Sequence, residues 1–275
     1  MNALKFGFLF LALGLVLFSC QKDKTENTAI SEQKEAINEA FVSQTFDEVQ
    51  DIADEAYYLG SHNLKAGTED FLRFSDCVTI TLDTTVMPRI LTIDFGEENC
   101  LCRDGKYRRG KIIVSFNGRY RQPGTLITHS FDNYFVNDNQ VEGTHSVENM
   151  GFNEDQHMWF AIEVQGQLTL TDSTVHNWNA TRNRTWIRGF NTPIWRDDAF
   201  LITGNGNYSN STGSNISRTI ITPLLRELSC PFFVSGTVEI VPSTGSLRLL
   251  DFGDGSCDNL ATLTIGERVI TIVLR

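Results

Sequence analysis

Two periodicities divide the chain. Between residues 31 and 60, Ile37, Ala40, Phe41, Val49, Ile52, Ala53 and Ala56 recur at intervals near three and four. That spacing gathers them on one stripe of a helix. Ser31 followed by Lys34 and Glu35 supplies an N-terminal signal, and Gly60 closes the segment. The polar face is acidic, which disfavours an anionic lipid surface. The pattern therefore predicts one amphipathic helix that packs on its own domain.

From about Cys77 onward the period becomes two. In "MWFAIEVQGQLTL", Met158, Phe160, Ile162, Val164, Leu168 and Leu170 share one face. Trp159, Glu163, Gln165, Gln167 and Thr169 share the other. Such alternation marks a strand buried on one side. "KIIVSFNGRY" repeats it with Ile112, Val114, Phe116 and Tyr120. Further strand-like runs follow, separated by "RQPGT", "VNDNQ", "TDST", "GNGN" and "NSTGSN", which carry turn chemistry. Successive hairpins without helical crossovers predict antiparallel pairing. The expected fold is all-β: a meander forming a curved sheet, partly open barrel or sandwich over residues 75–275, with the helix at its N-terminus.

One phrase occurs twice, as "IDFGEENC" at 93–100 and "LDFGDGSC" at 250–257. Each closes a segment opened by a cysteine: Cys77 to Cys100, and Cys230 to Cys257. An apolar strand follows each, "KIIVSF" and "RVITIVL". Related hairpins are thus expected at 77–116 and 230–274. Cysteines at the open end of a hairpin are placed to bond, so the repeat pairs Cys77 with Cys100 and Cys230 with Cys257. Each loop closure contributes roughly 3 kcal/mol in the chain-entropy description. Cys102 is left either as a free thiol or as the alternative partner of Cys77.

The N-terminus sets the expected location. Lys5 precedes the apolar run "FGFLFLALGLVLF", which ends at "LFSC". A short basic head, an apolar middle and a small residue at the cut describe a secretory signal over 1–19. Leu17-x-Ser19-Cys20 adds the bacterial lipoprotein signature, with Cys20 lipidated and the membrane reached through that anchor. An exported protein is also one in which disulfides persist. Residues 20–30, "CQKDKTENTAI", read as a polar tether. Their start resembles the Gln-Lys-Asp-rich signal that sends lipoproteins of Bacteroidota-type bacteria to the cell surface, although Lys24 interrupts the acidic run. Outer-membrane, surface-exposed anchoring is expected first and a periplasm-facing position second. The net charge of −11 argues against nucleic acid, whose binding depends on neutralising phosphates with Lys and Arg.

Candidate chemistry is sparse. Asp-Phe-Gly comes without a Gly-rich loop or the other kinase elements. Asp251, Asp254 and Asp258, like Asp94, Glu97, Glu98 and Asp104, offer hard oxygen ligands, yet neither set has calcium-loop spacing. Turn-forming roles are expected for them instead, and neither a metal nor a cofactor is implied. His62, His129, His145, His157 and His176 lack metal-ligand spacing, although His129 and His145 fall in adjacent strands and can meet. No catalytic constellation is legible, so a non-catalytic protein is expected. Asp83-Thr84-Thr85 and Asp172-Ser173-Thr174 resemble O-glycosylation sites of Bacteroidota-type bacteria. The nearest thing to a binding face is "HNWNATRNRTWIRGFNTPIWRDD", with Trp178, Arg182, Arg184, Trp186, Arg188, Trp195 and Arg196. Exposed, these would stack on a glycan or dock a protein partner; buried, they would only stabilise a hairpin.

Taken with the lipoprotein signature and residues 75–275, the paired "DFG…C" pattern resembles outer-membrane or surface lipoproteins of Bacteroidota-type bacteria. The likeness brings no activity with it. Two functions are expected: a surface lipoprotein binding glycan or protein, or a carrier holding a lipid or other apolar ligand in a curved-sheet cavity. A large enclosed cavity favours the carrier, and a filled core with an exposed Trp/Arg face favours the binder.

Overall fold

The computed structural model describes residues 20–62, 73–119, 121–192 and 194–274, with only the backbone of 20–30. The signal segment and Tyr120 lie outside the described residues. Helix α1 spans Cys20–Ser61, so the expected tether at 20–30 is helical and the helix starts well before Ser31. The reason is compositional: no Gly or Pro occurs between Cys20 and Leu59, and nothing else in that stretch breaks a helix. Residues 37–275 form one compact unit, to which α1 contributes from Ile37 onward.

Fourteen strands follow. They are β1 (Thr79–Asp83), β2 (Arg89–Asp94), β3 (Cys100–Leu101), β4 (Tyr107–Phe116) and β5 (Leu126–Val136). Next come β6 (Asn139–Phe152), β7 (Met158–Thr169), β8 (Val175–Arg188), β9 (Ala199–Asn210) and β10 (Asn215–Glu227). The last are β11 (Phe233–Pro242), β12 (Arg248–Asp254), β13 (Leu260–Ile265) and β14 (Arg268–Val273). They form one antiparallel sheet in sequence order, apart from β3, which pairs only with β4. The sheet is not closed: β1 and β14 are its two edges. Strand faces follow the alternation read from the sequence. In β7, Met158, Phe160, Ile162, Val164 and Leu168 are buried while Glu163 and Gln165 are exposed.

The buried face of the sheet curls around α1. Phe46 meets Phe131 of β5 edge-on at 6.4 Å, and Tyr57 meets Phe116 of β4 at 5.9 Å. Ile37 and Phe41 share a small cavity with Ile272 and Leu274 beside the opposite edge. Two paired glycines permit the closest approach. Gly143 of β6 and Gly166 of β7 are register partners. A Cβ on Gly166 would lie 2.2 Å from the Phe46 ring. Gly143 has φ +116°, which a side chain resists, and bends its strand at that point.

The acidic face of α1 is buried as well. Glu39, Glu48, Asp51 and Glu55 are all at most 6% exposed. Each meets a cation from the surrounding chain. Arg218 of β10 reaches Glu39 at 2.8 Å, and Lys106 and Arg108 reach Glu48. Arg73 reaches Glu55 at 3.1 Å. Asp51 takes three guanidiniums: Arg226 at 2.6 Å, Arg184 at 3.1 Å and Arg73 at 3.5 Å. Burial would raise the Asp51 carboxyl, but Arg226, Arg184 and Arg73 outweigh it and hold it below its ordinary value. The same burial drags Arg226 below its ordinary value. At Glu39 desolvation wins over Arg218, Arg182 and Arg248, at Glu55 it wins over Arg73, and both carboxyls are raised.

The duplicated phrase is a duplicated turn. Asp94 Oδ1 accepts the Gly96 N–H at 2.9 Å, and Asp251 Oδ1 accepts the Gly253 N–H at 2.8 Å. Both expected disulfides are present, Cys77–Cys100 and Cys230–Cys257, and Cys102 is buried and free. One expectation needs correction. The strand beside β12 is β13, "LATLTI", with Leu250 opposite Leu263. The run "RVITIV" is an additional strand beyond it, so the counterpart of β4 is β13 rather than β14. Apolar content drew attention to the later run, whereas hairpin geometry selects the nearer one.

Replacing Asp51 with Asn should lower the unfolding free energy in urea by about 3–5 kcal/mol, since it leaves buried guanidiniums uncompensated. Glu97→Gln, at an exposed position, should stay within about 0.5 kcal/mol. A loss below about 1 kcal/mol for Asp51→Asn would contradict this role for the cluster.

Candidate functional site

The expected external face at 178–196 is turned inward. Trp178, Trp186 and Trp195 are 0%, 4% and 6% exposed, and Arg182 and Arg184 are each 3% exposed. The cause is parity. Trp178, Arg182, Arg184 and Trp186 sit on alternate positions of β8, which bury against α1. Arg184 donates to Asp54 at 2.8 Å and to Asp51 at 3.1 Å. Arg182 donates to the Asn205 carbonyl and lies 5.4 Å over the Trp178 ring. A register shift between Trp186 and Arg188 releases the latter to the surface, where it pairs with Glu227. Arg196 is half-buried in the short 3-10 turn Trp195–Asp197. Of these seven residues only Arg188 is exposed, so the segment forms no external Trp/Arg face.

The acidic turn residues act as expected. Asp251 and Asp254 accept hydrogen bonds from Gly253 and Ser256, and Asp258 accepts one from Leu260. Among the described residues no group of three or more His, Cys, Asp or Glu is placed to hold a metal ion. His129 and His145 do meet. They are register partners with Nδ1 atoms 3.1 Å apart, and His129 Nδ1 also lies 3.0 Å from the His145 carbonyl. Burial pushes His129 down to about 4 and, with His129 and Arg184 nearby, His145 well below its ordinary value. The pair is neutral core.

What the sequence did not single out is a cavity of about 150 Å³ at the C-terminal end of α1. The helix contributes Gln50, Asp54, Tyr57, Tyr58 and Ser61, and His62 follows directly after it. The sheet supplies Phe160 from β7, Arg184 and Trp186 from β8, and Phe200 from β9. Trp195, Asp198 and Leu228 complete the wall. The aromatic walls brace one another: Trp186 lies 5.3 Å from Phe200, and Tyr58 stacks on His62 at 4.3 Å.

Asp198 is the distinctive polar group here. Its Oδ1 accepts the Trp186 indole N–H at 3.1 Å. Arg121 lies at the mouth, 4.3 Å over the Trp186 ring and 3.9 Å from Asp198 Oδ2. At 3.9 Å that contact is a loose ion pair, and the Arg121 side chain is 45% exposed. Burial therefore dominates and pushes the Asp198 carboxyl up to about 7, with Arg121 opposing and Asp54 assisting. The arrangement can surround a compact apolar group with aromatic rings. It also offers that group a carboxyl that changes charge near neutrality.

The raised value fixes the sign of a pH effect. A carboxyl that keeps its proton longer when folded adds stability fully present below about 4, its unfolded range. That contribution is lost as pH rises to about 7. Asp198→Asn should gain stability relative to the parent as pH goes from 5 to 7.5, read as urea midpoints, because Asn can still accept from Trp186. A constant difference across that range would mean Asp198 is ionised throughout.

No family model, curated protein or solved structure matches the chain.

Proposed function

We propose that this is a non-catalytic, lipid-anchored envelope lipoprotein that binds a compact ligand with an apolar body in the cavity beside Trp186. The cavity carries the reading. Native cores rarely contain voids much larger than a water molecule. The space beside Trp186 measures about 150 Å³, is walled chiefly by aromatic rings and opens past Arg121. A void of that size also accommodates a benzene-sized group. The carrier reading is thereby favoured over a glycan or protein receptor on 178–196, whose named aromatic anchors are buried. It is narrowed too, because a space of about 150 Å³ suits a compact group better than a long acyl chain.

Anchoring rests on the Leu17-x-Ser19-Cys20 signature and the apolar run before it. Among the described residues no helix is long and apolar enough to cross a membrane. The Gln-Lys-Asp-rich start after Cys20 is what favours the outer membrane with the domain at the cell surface, and the periplasmic face is the alternative.

An uncharged benzene-sized probe such as 2-phenylethanol should raise the melting temperature in a saturable way. Ligand at a hundredfold excess over Kd adds about 2.7 kcal/mol to a state it binds selectively. Leu228→Trp, which fills the cavity from its wall, should abolish the response while leaving the fold intact. A probe that binds this variant equally well would place its site elsewhere and remove the basis of the proposal.

Cys20→Ala should shift the protein from the membrane to the aqueous fraction after cell disruption without changing its denaturation midpoint. Unchanged membrane retention would contradict lipid anchoring.

A further inference from the structure

Four arginines that face α1 are neutralised: Arg73, Arg184, Arg218 and Arg226 each contact a helix carboxylate within 3.5 Å. A second group converges outside the cavity. Arg89, Arg119 and Arg121, with Tyr57 and Gln122, line an open depression, and no carboxylate is among its described lining residues. Tyr57 and Arg121 line both spaces, so the depression is the vestibule of the cavity.

The vestibule arginines are under-neutralised. Arg89 donates to the Gly118 carbonyl at 3.3 Å, and its buried Nε has no hydrogen-bond partner. Among the described residues, neither Arg89 nor Arg119 has a carboxylate within ion-pair distance, and Arg121 has only the loose contact with Asp198. Three guanidiniums left together in a chain of net charge −11 repel one another unless an anion lies among them. Planar forks of this kind suit the paired oxygens of a carboxylate or phosphate. The two carboxylates inside the cavity oppose an anion only weakly. Asp54 is tied to Arg184 at 2.8 Å, and Asp198 holds its proton until about 7.

We infer that the ligand is a compact apolar acid, its hydrophobic body against Trp186, Trp195 and Phe200 and its anionic head on Arg89, Arg119 and Arg121. This rests on the ligand-binding reading of the cavity and names the class of molecule it takes. Arg121 is the joint between the two halves. Stacked on Trp186 and partly exposed, it can hold the head while its guanidinium still covers the ring that the body touches.

The test uses the intact protein and three probes of one shape: phenylacetate, 2-phenylethanol and the phenethylammonium cation, titrated calorimetrically at about pH 6, where Asp198 still holds its proton. Phenylacetate should bind at least tenfold more tightly than the alcohol, and the cation most weakly. Raising salt from 0.05 to 0.5 M should weaken the acid several-fold and leave the alcohol unchanged, as screening of an exposed charge contact requires. In Arg89→Gln/Arg119→Gln/Arg121→Gln the acid's advantage over the alcohol should fall to within twofold. Should that variant not fold, the probe ranking and salt response in the parent decide alone. Equal binding of acid and alcohol, or preference for the cation, overturns the anionic head while leaving the cavity as a binding site. Failure of all three probes removes both.

Discussion

Three guanidiniums on one helix carboxylate, Asp51, set the terms for the rest of the molecule. Isolated buried charges are too costly to keep, and a buried pair roughly breaks even with an apolar one. What the cluster supplies is position. Arg184 from β8, Arg226 from β10 and Arg73 ahead of β1 must all reach the same turn of α1. In the sheet order β8 and β10 flank β9, whereas β1 is the distant edge. Any rotation or slide of α1 inside the sheet breaks several charged contacts at once. Glu39 with Arg218, and Glu48 with Lys106 and Arg108, fix the helix at other levels. A sheet that does not close on itself is thereby held around a central strut.

That constraint also locates the cavity. Arg184 bridges Asp51 and Asp54, and past that point the inward side chains change from charged to aromatic. Tyr57, Trp186, Trp195 and Phe200 are bulky and meet at angles, so they do not fill the space. The Asp198 carboxyl lies beyond the reach of the Asp51 cluster and has only a loose partner in Arg121. One strand, β8, therefore serves both roles: Arg184 locks the helix and Trp186, two residues later on the same face, walls the cavity.

Much of the fold was legible because it depends on short-range pattern. Period-two alternation gave β7 and β4 their buried faces, turn chemistry gave the meander, and the repeated cysteine spacing gave both disulfides. The duplicated Asp-Phe-Gly was readable as a turn because Asp94 and Asp251 cap the glycine two residues on. The helix and its packing on the domain were legible too, but the burial of its acidic face was not, for a physical reason. An acidic face ordinarily seeks water, and only partners distant in sequence make its burial tolerable. A clue existed in β8, where Arg182 and Arg184 share parity with Trp178 and Trp186. Taken seriously, that parity places arginines inside the sheet and calls for acids opposite them. The cavity left no such trace: Tyr57, Arg121, Phe160, Trp195 with Asp198, and Leu228 come from five separate segments.

The account makes α1 the core of the domain rather than an appendage, and native-state amide hydrogen exchange measures that most directly. Amides of α1 between Val42 and Leu59 should exchange only through global opening. Their free energies should equal that of urea unfolding and match those of the central strands β7 and β8. If those helix amides instead exchange through a partial opening several kcal/mol cheaper, with the strands still protected, the sheet stands without its helix and the central claim fails.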